Sequence, residues 1–158
     1  MLLYLSPVLA QDKIYLHNGK TINGAVLKVG EYTVIYSYEG EKSQEVISKY
    51  AVSKILHGGS NREEVITEKV IINNEDDWEK VVILDDRTQI VGLTKVDEVS
   101  GTKYAYGKKA DRKAMERMKR EAASLGCPFI LMTLNHNTNY SAMTTSTKAQ
   151  RKGIGYKY

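Results

Sequence analysis

Apolar and polar residues alternate at a strand period through the first third of the chain, and an apolar stripe at helical spacing occurs only once, near the C-terminal third. Ile14-Tyr15-Leu16-His17 precedes Asn18-Gly19, an Asn-Gly pair between apolar runs that signals a hairpin because both residues tolerate positive φ. Thr21 to Val29 continues as the second strand, Gly30-Glu31 turns, and Thr33-Val34-Ile35-Tyr36-Ser37-Tyr38 is the third. Glu39-Gly40-Glu41-Lys42 breaks that run. Glu45 to Ser48 and Val52 to His57 then supply two short strands around a tight turn at Lys49-Tyr50-Ala51. Residues 11–58 therefore predict a five-stranded miniature barrel.

Gly58-Gly59-Ser60-Asn61-Arg62-Glu63-Glu64 ends this pattern, and residues 59–77 read as a linker with one further short strand over Val65 to Ile72. Trp78 is the single tryptophan and reads as a core or interdomain anchor. Lys80 to Leu84, a turn at Asp85 to Thr88, and Ile90 to Val96 predict a hairpin. The helix follows over about residues 110–125: Asp111 caps it, Ala114, Met115, Met118, Ala122 and Leu125 form its stripe, and Gly126 with Pro128 stop it. Strands are expected at Phe129 to Leu134, Tyr140 to Thr145 and Gly153 to Tyr158. The expected fold is α+β and mostly β, the barrel followed by a small α/β sandwich over residues 78–158. A barrel of this size buries too little surface to stand alone, so it is expected to dock or to pair its edge strands with another copy.

The apolar strand before Asn18-Gly19, Gly24 in the second strand, and Ser48-Lys49-Tyr50-Ala51-Val52-Ser53 together resemble the Sm-like family of small barrels. The resemblance covers under a third of the chain. It implies a ring-forming fold and RNA contacts at the turn before the last strand, with Lys49 at a phosphate and Tyr50 stacked on a base. The family's other RNA contact lies in a loop that here reads Glu31-Tyr32-Thr33, without the asparagine often found there. The close of the helix, Lys119 to Gly126, is similar to small envelope-stress and heavy-metal-binding-type domains in which a helix ends on Gly and enters a core strand. The whole arrangement resembles Bacteroidota envelope proteins that join a strand-rich N-terminal unit to a small α/β unit.

The first ten residues bear on the compartment. Met1 to Ala10 is uncharged, largely apolar and shorter than the ~20 residues a membrane helix needs. Val8 and Ala10 take the −3 and −1 positions of a signal-peptidase site, so the decapeptide, which lacks a basic n-region, reads as the tail of an export signal with Gln11 as the mature start, the alternative being an ordinary N-terminal strand. No cysteine follows Ala10 to carry a lipid. The expected product is periplasmic or outer-membrane-associated. Cys127, the only cysteine, opens an apolar run and reads as a buried structural thiol.

Charge is unevenly placed. From Gly101 onward there are 12 Lys and Arg against 3 Asp and Glu, a net +9, whereas the first hundred residues carry 11 against 16, a net −5. Lys108, Lys109, Arg112, Lys113, Lys119 and Arg120, and later Lys148, Arg151 and Lys152, make the second domain a basic surface suited to nucleic acid, anionic lipid or lipopolysaccharide. Tyrosines 36 and 38, 104 and 106, and 156 and 158 share a strand face in pairs and suit either half-burial or stacking on sugars. His17, His57 and His136 have no ligand spacing, and no phosphate loop or nucleophile-base order can be named. No metal, cofactor or catalysis is expected. Two functions stand side by side: a non-catalytic exported binding or scaffolding protein, including a sensor of anionic lipid or polysaccharide, and a cytoplasmic Sm-like RNA binder.

Overall fold

The computed structural model describes residues 11–106, 108–139 and 146–158, and over these the chain is α+β and mostly β. It parts into two compact units that meet at Lys69 and Val70.

In the first unit, β1 (Asp12–Leu16), β2 (Thr21–Val29), β3 (Thr33–Tyr38), β4 (Glu45–Ser48), β5 (Val52–His57) and β6 (Arg62–Val65) form one antiparallel sheet in the order β4-β3-β2-β1-β5-β6. The five strands expected from alternation stand where the pattern put them. Ile14, Val34, Tyr36, Ile47, Val52 and Ile55 are their buried residues. The sixth strand precedes the one expected over Val65 to Ile72: residues 66–73 form no strand, while Glu63 and Glu64 pair with Leu56 and Ile55. Residues 58–61, read as the start of a linker, lie between β5 and β6, with Asn61 at φ 53°. No ladder joins β4 to β6 among the described residues, so the sheet is open in its hydrogen bonding.

Two details hold β1 and β2 in place. Gly24 lies so close to β3 that a Cβ there would stand 2.4 Å from the Ser37 carbonyl oxygen. Asp12 accepts from the Val26 N–H, beside a bulge at Leu27, and from the Gly58 N–H at the end of β5, both at 2.9 Å. One carboxylate thus ties three strands.

In the second unit, β7 (Val82–Leu84), β8 (Thr94–Tyr106), β9 (Phe129–Asn139) and β10 (Ser146–Lys157) form a mixed sheet in the order β7-β9-β10-β8. The expected hairpin over residues 80–96 is not made. β7 pairs parallel with β9, through Val82 with Phe129 and Leu84 with Leu131, and a 3₁₀ turn at Arg87–Ile90 carries the chain away before β8 begins. Gln89, buried, accepts from the Asp85 and Asp86 N–H groups and closes that turn as a capping box. The strand expected over Tyr140 to Thr145 lies outside the described residues.

Helix α1 (Lys108–Ser124) covers one face of this sheet. Its buried positions are Ala110, Ala114, Met118 and Ala122, one every fourth residue, together with Ala123. Small residues let it lie close: a Cβ on Gly101 of β8 would stand 1.9 Å from the Ala114 carbonyl oxygen. The helix starts three residues before Asp111, so this residue is not its cap and instead reaches Arg151 of β10, which is buried and so forms no part of the expected basic surface. Leu125, expected in the apolar stripe, lies past the last turn and is exposed. The stop is a Schellman arrangement, with Cys127 N–H on the Ala122 carbonyl, Gly126 N–H on Ala123, and Gly126 at φ 67°. Cys127 is fully buried, and Trp78 packs against the same core from a 3₁₀ segment at Glu75–Lys80.

Candidate functional site

The 3₁₀ turn Lys49–Ala51 joins β4 to β5 and is fixed from both sides. Buried Ser48 accepts from the Tyr50 N–H at 3.1 Å, the Lys49 N–H donates to the Tyr32 carbonyl at 2.9 Å, and the Lys49 carbonyl oxygen lies 3.1 Å from Thr67 Oγ1, whose proton goes to the nearer Val52 carbonyl at 2.7 Å. Lys49 and Tyr50 are both half-buried. Their neighbours come from distant parts of the chain. The His17 N–H donates to the Ala51 carbonyl at 3.0 Å, its Nε2 is 3.0 Å from the Thr67 hydroxyl, and Lys69 Nζ donates to the His17 carbonyl at 3.2 Å. One end of the first unit thus gathers Tyr32, Lys49, Tyr50, His17 and Lys69. Partial burial first, and the Lys69 charge second, push the His17 pKa below the ordinary histidine value.

Only Lys49 and Tyr50 of this group are legible as site residues in the sequence. Thr67 and Lys69 arrive because the chain, returned along β5 by β6, runs on in the same direction past Val65, where the Ile66 N–H meets the Ser53 carbonyl at 2.9 Å. No periodicity marks such a return.

The basic helix of the second unit divides into two dissimilar halves. Near its C-terminal end, Arg120 Nε donates to Glu116 at 3.0 Å, its Nη1 stands 3.8 Å from Glu75 and 3.6 Å from Asp76, and the guanidinium lies 5.3 Å from the Trp78 ring centroid. Lys119 is partly desolvated, which lowers its pKa, with Glu79 opposing the shift. The acidic segment 75–79 thus faces this half and pairs with Arg120. At the other end, Lys108, Lys109 and Arg112 line an open depression of about 430 Å³, and no ion pair engages them among the described residues. Asp111, the acid within the same turn, is committed to Arg151. Lys113 is half-buried beside them. The first turn of a helix repels cations through its exposed N–H groups, so three uncompensated cations there raise the local potential further.

Among the described residues, no three His, Cys, Asp or Glu side chains are gathered closely enough to hold a metal ion, and no helix is long and apolar enough to cross a membrane. Compared with protein-family models, with curated proteins and with solved structures, the chain matches none.

Proposed function

We propose that the protein is a non-catalytic binding or scaffolding module of the bacterial cell envelope whose partner is an anionic envelope component. The observation that carries this reading is the division of the basic helix: Arg120 is paired with internal acids and Lys119 beside it is half-buried, whereas Lys108, Lys109 and Arg112 are left to solvent around one depression. Such a cluster attracts phosphate or carboxylate groups at a membrane surface. The envelope assignment rests on the pattern of Met1 to Ala10 and is part of the proposal.

The test is co-sedimentation with phosphatidylcholine vesicles containing phosphatidylglycerol, against vesicles without it. Binding is expected only to the anionic vesicles and is expected to fall with salt and with the triple substitution K108E/K109E/R112E, while K119E leaves it in place. Equal binding by the triple variant overturns the reading. The compartment is tested by the mass of the chain recovered from fractionated cells, expected to begin at Gln11 in the envelope fraction.

The first unit is proposed to be a variant of the Sm-like small barrel. The order β4-β3-β2-β1-β5, with β1 held between β2 and β5, supports this, and β6 adds a strand beyond it. Edge strands β4 and β6 support self-association through strand pairing, measured by sedimentation velocity. A second reading, RNA binding in the cytoplasm, draws on the group formed by Tyr32, Lys49, Tyr50 and Lys69. It requires intact Met1 in the cytosolic fraction and nucleic acid that co-purifies and is lost in high salt.

A further inference from the structure

Of the three tyrosine pairs that share a strand face, two are taken up by the fold. Tyr36 is buried and meets Tyr38 edge-on at 5.4 Å, with their hydroxyls 3.4 Å apart. Tyr156 is buried, while Tyr158 packs edge-on against Phe129 at 5.3 Å and accepts from the Val70 N–H. The third pair is different. Tyr104 is 57 % exposed and Tyr106 is 71 % exposed, far more than strand packing requires.

Register places these two rings on an open face of the second sheet. Ala105 and Ala149 pack against Ala110 and Ala114 of α1, so the alternating positions Thr102, Tyr104, Tyr106, Lys148, Gln150 and Lys152 point the other way. Tyr104 pairs with Lys148, whose Nζ lies 5.6 Å from the ring centroid. His136 and Thr138 of β9 lie across from Gln150 and Lys148 and hydrogen-bond each other at 3.0 Å. Toward the other end of the strands Leu131 and Tyr156 are buried, and they line a depression together with Asp85, Arg87 and Ile90.

Among the described residues, the stretch of this face from Thr102 to Tyr106 carries no carboxylate; Glu98, exposed on the same face of β8, stands farther along, opposite Ile154 and one diagonal step from Lys152. The three acids that follow Gly101 are Asp111, Glu116 and Glu121, and all belong to α1 on the opposite side of the sheet. What remains is two flat aromatic rings about 7 Å apart along one strand, two lysines about 13 Å apart along the next, and neutral hydrogen-bonding groups between them. A nucleic acid strand is charged at every residue, and its affinity is dominated by the number of cations that meet it. This face has few cations and more hydroxyl and amide groups. A polymer charged only at intervals along a chain of hydroxyl-rich rings matches it better.

We propose that this face binds an anionic polysaccharide lying along the strands. Tyr104 and Tyr106 pack against the apolar faces of sugar rings, Lys148 and Lys152 pair with its acidic groups, and Thr102 and Gln150 meet its hydroxyls. This rests on the envelope-binding reading and names a ligand class for a surface separate from the helix patch.

The test is affinity electrophoresis of the full chain through gels containing polygalacturonate, neutral dextran or poly(U). Retardation is expected in polygalacturonate and not in dextran, weakened roughly tenfold or more by Y104A/Y106A and by K148E. Y104F/Y106F, which keeps the rings, is expected to retain it. Because both rings are mostly solvent-exposed, circular dichroism of the variants should match the parent. Unchanged binding by Y104A/Y106A, equal retardation in dextran, stronger retardation in poly(U), or none in any gel overturns the proposal. The K108E/K109E/R112E variant separates the two surfaces: it is expected to lose anionic vesicles and keep polygalacturonate. Vesicle binding without polygalacturonate binding removes this inference alone, whereas failure on vesicles with polygalacturonate retained removes the helix patch alone.

Discussion

Arg151 of the central strand β10 is 4 % exposed, and Asp111 of α1 forms an ion pair with it. The guanidinium also donates to the His136 carbonyl at 3.1 Å and to Asn137 Oδ1 at 3.0 Å, so one buried cation joins helix, central strand and β9. Removing the acid strands a charge that cannot reach water. Asp111→Asn is therefore expected to lower stability by about 3 kcal/mol, the lower end for breaking a buried pair, because the Asp111 side chain is itself 42 % exposed. Replacing both partners, as D111L/R151M, is expected to cost less than the single change. Urea unfolding of the three proteins checks the order.

Gly101 sets the distance between β8 and α1. A methyl group at this position would meet the Ala114 carbonyl oxygen at 1.9 Å and the Met118 backbone nitrogen at 2.8 Å, and neither can move without the helix. Gly101→Ala is expected to cost on the order of 3 kcal/mol, at the upper end for overpacking. Gly59→Ala meets nothing within 4 Å and is expected to change stability by no more than about 0.5 kcal/mol. Thermal melts of the two variants should separate clearly.

Local pattern and long-range pairing differ in how far the sequence discloses them. Strands β1 to β5 were legible because each alternates on its own and each is bounded by Gly or charged turns. β7 was legible as a strand and its partner was not. Val82 to Leu84 pairs with residues more than forty positions later, and a capping box at Asp86 diverts the chain that a hairpin would have used. The helix patch was legible as composition only. Its division depends on Glu75 and Asp76 folding back onto Arg120, a tertiary contact that neither charge count nor periodicity contains.

Cys127 sits at the end of the Schellman turn with no exposed surface, and burial pushes its thiol pKa upward. Iodoacetamide at pH 8 is expected to leave the native protein unmodified and to alkylate it once urea unfolds it, as read by intact mass. Rapid native alkylation would mean that the helix end opens locally.

His17 gives the first unit a dependence on pH whose direction follows from its surroundings. The Thr67 hydroxyl has one proton, which its 2.7 Å contact with the Val52 carbonyl uses, so its oxygen accepts from His17 Nε2–H. The ring is half-buried and Lys69 lies beside it, and together these hold its folded pKa below the ordinary value of about 6.5. As pH falls below that value, the unfolded chain takes up the proton first. Stability therefore declines through the window between the unfolded and the lowered folded value and becomes flat again, for this residue, below the latter. Carboxylates add their own acid sensitivity, so the measurement is a comparison. Urea midpoints of the parent and His17→Gln are expected to converge as pH is lowered from 7.5 to 5, the parent losing more. A parent that gains on His17→Gln over that interval would reverse the sign and place a net negative field at the Lys49 turn.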